Sequence, residues 1–423
     1  MLVQALYNIV DSIFVSRISE NALTAVTLAF PMQTLMISFG GGTSVGVNAL
    51  LSKALGEKKF DRSDKAANMG LFLTFFSYLL FLIIGLTAAE GFIRSQTDNA
   101  EIIGYGTTYL SIVCLFSFGM LFQMMLERLL QSTGKTIYSM ISQLTGAVIN
   151  IIFDPILIFG LAGFPRLGVA GAAWATVLGQ IVAAILGIFF NIKFNTEIRL
   201  SFRSIFKPDG AIIKQIYLVG VPSILMMSIG SVMTYLMNKI LIAFSTTAAA
   251  VFGAYFKLQS FFFMPLFGLN NGLIPVLAYN YGAKKKERIE EALRFSIILA
   301  VSIMLVGMVC FMAFPDRLLD LFDASDAMKE IGVPALRTIA FHFPIAGACI
   351  AMGSVFQAFS KSIFSLIVSV SRQLVVLIPA AWLLAQTGSV QNVWWAFLIS
   401  EVASLIASLT FFIHLHKTII AKL

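Results

Sequence analysis

The feature that most constrains this chain is the recurrence of apolar stretches long enough to cross a bilayer. Crossing ~30 Å of hydrocarbon as an α-helix takes about 20 predominantly apolar residues. Such stretches fall near 1–16, 23–52, 66–89, 102–130, 137–160, 168–192, 213–243, 248–281, 293–314, 331–358, 362–386 and 391–416. Twelve of them leave no room for a soluble domain. Charged residues are 12% of the chain, about half their share in an ordinary globular domain. Strand-like alternation is absent, which selects a helical bundle over a membrane barrel. The expected fold class is therefore an all-α integral membrane protein. The first apolar run has neither a basic leader nor a small-residue cleavage site, so a cleavable signal is not expected.

The net charge of +8 raises the question of nucleic acid, and the position of the charges answers it. With alternate connecting segments assigned to alternate sides, one set (Lys53 to Lys65, Arg128 to Lys135, Lys193 to Lys214, Lys284 to Arg294, Lys361 and the tail) holds 20 of the 29 basic residues. The opposite set (Arg17, Arg94, Arg166, Arg317, Lys329, Arg337) holds six. Positive residues mark the cytoplasmic side, so the basic balance reads as topology in a cell membrane, with a cytoplasmic C-terminus. No nucleic-acid partner is expected, since "KKKER" at 284–288 is followed at once by Glu290 and Glu291. Cys114, Cys310 and Cys349 lie in apolar helices without ligand spacing, which argues against metal or disulfide roles.

The chain also repeats. Gly46, Gly56, Lys58, Lys59 and Ala66 recur 226 residues later as Gly272, Gly282, Lys284, Lys285 and Ala292. The same offset carries "QSTGKT" at Gln131 onto "QAFSKS" at Gln357. Six helices per half is an even number, so the halves share one orientation and are expected to be related by a pseudo-two-fold axis along the membrane normal. The expected organisation is a first six-helix lobe at 1–192, a cytoplasmic linker at 193–212 and a second six-helix lobe at 213–423.

Ionisable side chains inside the bilayer cost roughly 2.5–3.5 kcal/mol on insertion scales, so they face partners or wet cavities. Asp11, Asp154, Lys239, Lys257, Arg372 and Glu401 qualify, with both aspartates in the first lobe and all three bases in the second. Asp11 shares a helix face with Gln4 and Asn8. Asp154 has Asn150 one turn earlier, and Pro155 frees the carbonyl of Ile151 from its helical donor. Two carboxylates, an amide and a loosened carbonyl suit a hard cation such as Na⁺, with Asp11, Asn150 and Asp154 as ligands, or a proton relay. Lys239 and Arg372 are placed to snorkel, and Glu401 to pair with a base. Met-rich runs such as "MQTLM" at 32–36 suit a cavity for apolar cations. Gln4, Asn8, Met32 and Lys257 are the expected cavity residues. Seven prolines (Pro31, Pro155, Pro222, Pro265, Pro275, Pro344, Pro379) fall within the expected spans.

The segments "YNIVDSIFVSR", "NALTAVTLAFPMQ", "IIFDPILIFGLAGFPRLGVAGAAWATVLGQ", "GAYFKLQSFFFMPLFGL" and "SRQLVVLIPA" resemble the multidrug and toxic compound extrusion (MATE) family over essentially the whole chain. The resemblance implies twelve helices in two lobes, a central cavity, and export of cationic drugs against inward Na⁺ or H⁺. Within the family the sequence is similar to the DinF-like branch, which implies a first-lobe coupling site at Asp11, Asn150 and Asp154, with Thr176 as a further polar member. The second-lobe acids of the other bacterial branch have no match, since the seventh helix offers Asn238 and Lys239. The expected function is a cation-coupled antiporter, acting as a monomer, with no cofactor beyond the coupling ion and with small cationic drugs or metabolites and the bilayer as partners. A lipid-linked oligosaccharide flippase of the same superfamily would call for cavity cations, to which Lys257 and Arg372 are candidates. A membrane-embedded transferase would need paired Asp motifs for Mg²⁺, and the basic loops carry none.

The opening run is short. Sixteen residues before Arg17 rise only about 24 Å. Offset by 226, Met1 falls on Met227, where the seventh helix is already well under way. A first helix truncated at its N-terminus is therefore expected.

Overall fold

The computed structural model describes residues 11, 13–322 and 324–423. Gln4 and Asn8, and with them the expected start of the first helix, lie outside the described residues. Among those described, the regular elements are all helical: α1 (Glu20–Gly56), α2 (Phe60–Thr87), α3 (Ala89–Arg94), α4 (Ala100–Leu115), α5 (Phe118–Ser132), α6 (Thr136–Phe159) and α7 (Val169–Phe194). There follow α8 (Gly210–Ile242), α9 (Thr246–Gly282), α10 (Lys286–Ala313), α11 (Pro315–Asp320), α12 (Asp326–Ala340), α13 (Phe343–Ala358), α14 (Ser362–Ala385) and α15 (Trp395–Thr418). Nine described helices or helix runs are long and apolar enough to cross a membrane, and eleven spans result when α4 with α5 and α12 with α13 each count as one. Large apolar side chains such as Ile83, Leu86, Ile192, Ile298 and Ile406 are more than half exposed, the outward face of a chain whose solvent is lipid.

The repeat is written into the backbone. α1 and α9, α2 and α10, and α3 and α11 each start and end 226 residues apart, and α4 and α12 start 226 apart and end 225 apart. The caps repeat as well: Ser19 accepts the Ala22 N–H and Ser245 accepts the Ala248 N–H, both at 3.0 Å. Left-handed residues recur at the same offset, Lys58 (φ 57°) with Lys284 (φ 56°) and Gly134 (φ 78°) with Ser360 (φ 58°). The stretches 102–130 and 331–358, expected as single spans, are each broken, α4 to α5 by 45° and α12 to α13 by 47°. Pro344 opens the second half of the later pair, whereas Phe118 stands at its counterpart. The bend therefore belongs to the architecture and does not require the proline. Pro31, Pro155, Pro222, Pro265 and Pro275 are accommodated inside continuous helices.

The chain divides into two compact units, Met1–Ile224 and Leu225–Leu423. The division falls inside α8, beyond the polar connection that follows α7, because the first turns of α8 pack on α1. A Cβ added at Gly46 would come within 2.2 Å of the Ile216 carbonyl oxygen, and one at Gly42 within 2.7 Å of the Ile224 nitrogen. The polar connection itself is pinned to α2. Asp64 accepts the Arg199 N–H at 2.7 Å, Asn68 bonds both Arg199 and Ser201 at 3.0 Å, and Lys65 meets Asp209 at 3.3 Å. Asp209 caps α8 by accepting the N–H groups of Ile212 and Ala211. The Ile212 N–H, Lys65 and the Ala211 N–H together hold its carboxyl below the ordinary 3.8. Arg128, counted with the cytoplasmic segments, is buried within the last turns of α5.

Candidate functional site

The first-unit site is assembled on the α6–α7 pair, which is zipped together by small residues. Ser142 donates to the Ala183 carbonyl at 2.6 Å. Gly146 and Gly179 meet so closely that a Cβ on Gly179 would lie 2.5 Å from the Gly146 oxygen. One turn on, this close approach brings Asn150 of α6 against Thr176 of α7, Nδ2 to Oγ1 3.3 Å. The same amide reaches Asp154 Oδ1 at 3.4 Å. Pro155, within α6, leaves the Ile151 carbonyl without its usual helical donor.

Asp11 joins from the helical turn before Arg17. Phe14, one turn after Asp11, packs edge-on against Phe159 of α6 with ring centroids 6.3 Å apart. That contact aligns the two segments so that the Asp11 and Asp154 carboxyl groups act on each other electrostatically. Asp154, Asn150, Asp11 and Thr176 are 0%, 2%, 7% and 8% exposed. Asp11 Oδ1, Asn150 Oδ1 and Asp154 Oδ2 are buried and have no hydrogen-bond partner among the described residues. Buried polar oxygens are ordinarily satisfied, and three unsatisfied acceptors in one cluster are what a cation or a proton would complete. All four residues expected at the coupling site are thus in one buried neighbourhood.

Met32 and Lys257 are the described residues among those expected to line a cavity. Met32 is half-buried and packs on the first unit's apolar core. Lys257 is exposed, its Nζ 5.9 Å from the Phe322 ring centroid. Lys239 is exposed as well, 5.1 Å from the Tyr235 ring. Arg372 is paired with Glu401, Nη1 to Oε1 3.5 Å. One of the two bases that a flippase cavity would use is therefore engaged by a carboxylate.

Sequence reasoning missed a polar network in α5. Gln123 donates to Glu127 at 2.9 Å, Arg128 to Gln131 at 3.0 Å, and Gln131 to Ser139 at 2.9 Å. The signal was present in the spacing of Gln123, Glu127 and Gln131, four residues apart and hence on one face.

The family model for MatE matches residues 1–156 and 222–383. The chain belongs to the MatE family. The multidrug export protein MepA of Staphylococcus haemolyticus is 27% identical over 403 residues, covering 95% of this chain and 87% of that one. A solved structure of a multidrug resistance MATE family transporter of the MOP superfamily, in an outward-facing conformation, superposes with a TM-score of 0.92 at 26% identity, covering 99% of this chain and 94% of that one. A MOP superfamily transporter from Pyrococcus furiosus, described as having a binding pocket of reversed polarity that suggests a different function, superposes with a TM-score of 0.91 at 25% identity, covering 98% and 92%. MatE proteins are transporters, which removes the transferase reading and makes this chain a multi-pass membrane transporter rather than an enzyme.

Proposed function

We propose that this MatE chain is a multidrug efflux transporter that exports cationic amphiphiles in exchange for inward Na⁺ or H⁺, with Asp11, Asn150, Asp154 and Thr176 as its coupling site. The observation that carries the reading is the set of three buried, unpartnered oxygens on Asp11, Asn150 and Asp154. The naming of relatives as multidrug export proteins supports the substrate class. Two carboxylates held together in a low-dielectric interior repel each other, so ion uptake from outside relieves that repulsion and lets the Asp11 segment and α6 approach. Repacking of that pair releases the drug outward. Ion release inside restores the negative charge, which attracts the next cationic drug. The DinF-like reading is supported by the place of this oxygen set, whose described members all lie in the first unit.

The test is ethidium efflux from proteoliposomes under separately imposed Na⁺ and pH gradients. Whichever gradient drives efflux identifies the ion. Asp11→Asn and Asp154→Asn remove charge and keep shape, so each is expected to abolish gradient-driven efflux with expression near normal. Coupled transport that survives either substitution would sink this reading.

A further inference from the structure

The second unit has a polar interior of its own, which the coupling site leaves unused. α14 contains a single π-helical stretch, Ser371–Val376, and π turns inside α-helices are frequent at functional sites. Arg372 sits in that stretch and reaches Glu401 of α15 at 3.5 Å. A charge-assisted contact is ordinarily 2.7–2.9 Å, so this pair is loosely held. Glu401 is 3% exposed while the Arg372 side chain is 23% exposed. Ser404 and Ser408 follow Glu401 on the same helix face, and both are buried. The Cys349 thiol of α13 lies alongside all three.

The other titratable groups near the pair are already engaged. Tyr255 of α9 donates to Gln259 at 2.7 Å, and His342 Nδ1 stands 2.6 Å from the Ile339 carbonyl oxygen. Arg372 is therefore the counter-charge of Glu401. The repeat adds a second, independent observation. The counterparts of Asp11, Asn150, Asp154 and Thr176, 226 residues on, are Met237, Val376, Ala380 and Val402, so the second unit has lost the oxygen set. Glu401 stands one residue from Val402, on the helix pair that corresponds to α6 and α7.

We infer that Glu401 is a second proton-binding site, in which a proton and the Arg372 guanidinium alternate as partner of one carboxylate. An O–H bond forms on Glu401, and the guanidinium contact breaks. Arg372 then swings toward the side on which it is already exposed, and no other atom is exchanged. The π stretch supplies the slack for that swing, because its i→i+5 bonding can revert to i→i+4. Ser404 and Ser408 provide the acceptors along which the proton is relayed.

The experiment is infrared difference spectroscopy of the full chain reconstituted in lipid, on stepping the pH from about 9 to about 4, a window that spans carboxyl titration. It is done in an Asp11→Asn, Asp154→Asn background, so that its outcome is independent of the first-unit site. The protonated-carboxyl signal that grows on acidification should lose one component when Glu401→Gln is added, the signal of the remaining acids staying in place. Arg372→Gln, with Glu401 intact, should move the midpoint of that component to higher pH by about one unit or more, since an opposite charge within reach shifts a carboxyl by 1–3 units. Arg372→Lys should restore the original midpoint in large part. An acidification spectrum that is the same with and without Glu401→Gln, or a midpoint indifferent to Arg372→Gln, would overturn the inference. The Arg372 arm stands even if the Glu401 variant fails to fold.

Discussion

Asn150 and Thr176 face each other across the α6–α7 seam at 3.3 Å, amide nitrogen to hydroxyl oxygen. The contact orients the amide so that its other hydrogen is directed to Asp154, leaving its carbonyl oxygen without a hydrogen-bond partner among the described residues. Thr176→Val keeps the shape and removes the acceptor. Losing a hydrogen bond of about 0.5–1.5 kcal/mol should raise the ion concentration for half-maximal efflux roughly 2- to 10-fold and leave the maximal rate less affected. An ion titration of ethidium efflux checks this.

Gly179 is where the seam is tightest. Gly179→Ala places a methyl group 2.5 Å from the Gly146 oxygen, against backbone that cannot turn aside. Overpacking of this kind costs about 1–3 kcal/mol, and it separates Asn150 from Thr176. The variant should melt earlier and lose coupled efflux. Gly104→Ala in α4, where an added methyl meets nothing within 4 Å, should be neutral or slightly stabilising in the same thermal unfolding assay.

The paired caps allow a symmetrical test. Ser19→Ala and Ser245→Ala each remove one hydroxyl acceptor from the first turn of a long helix, α1 or α9. Each should cost ~1 kcal/mol. Similar losses in thermal unfolding are expected from the two, because the cap contacts have the same length.

Asp209 ties the α7–α8 connection to α2 and carries a pH dependence. Its folded carboxyl titrates below the ordinary 3.8, so its contribution to stability is fully present above that value and is lost as pH falls through the folded value. Protection against hydrogen exchange in residues 199–212, taken relative to the intrinsic rate at each pH, should therefore fall below about pH 4. In Asp209→Asn the exchange should already be faster at neutral pH and less sensitive to acid.

The apolar stretches and the 226-residue offset were legible because span length and helix phase are properties of residue type along a line. Asn150 and Asp154 were legible for the same reason, being spaced one helical turn apart, and Asp11 because a lone acid in an apolar run has few other uses. The break between α4 and α5 was not, since no proline or glycine stands at Phe116 and Ser117. Nor was the π stretch at Ser371–Val376, which changes the hydrogen-bond step without changing which residues are apolar. Arg128 was read as a loop base because it lies near the end of a span, and only the packing around α5 shows it enclosed. The exposure of Lys257 depends on which face of α9 looks outward, which a helix apolar almost all round does not declare.

The left-handed residues at Lys58 and Lys284 bear on the history of the chain. A lysine in that conformation costs roughly 1–2 kcal/mol relative to the right-handed region, and neither half has replaced it with glycine. Two halves that keep the same strained turn while their interior side chains differ point to an ancestral gene that was doubled and fused. The doubling copied a backbone, and the chemistry of each copy was written afterwards. A cluster of buried acids stands in one half, and an arginine-bearing helical irregularity in the other. In such a protein the two halves are free to specialise without any change to the scaffold they share.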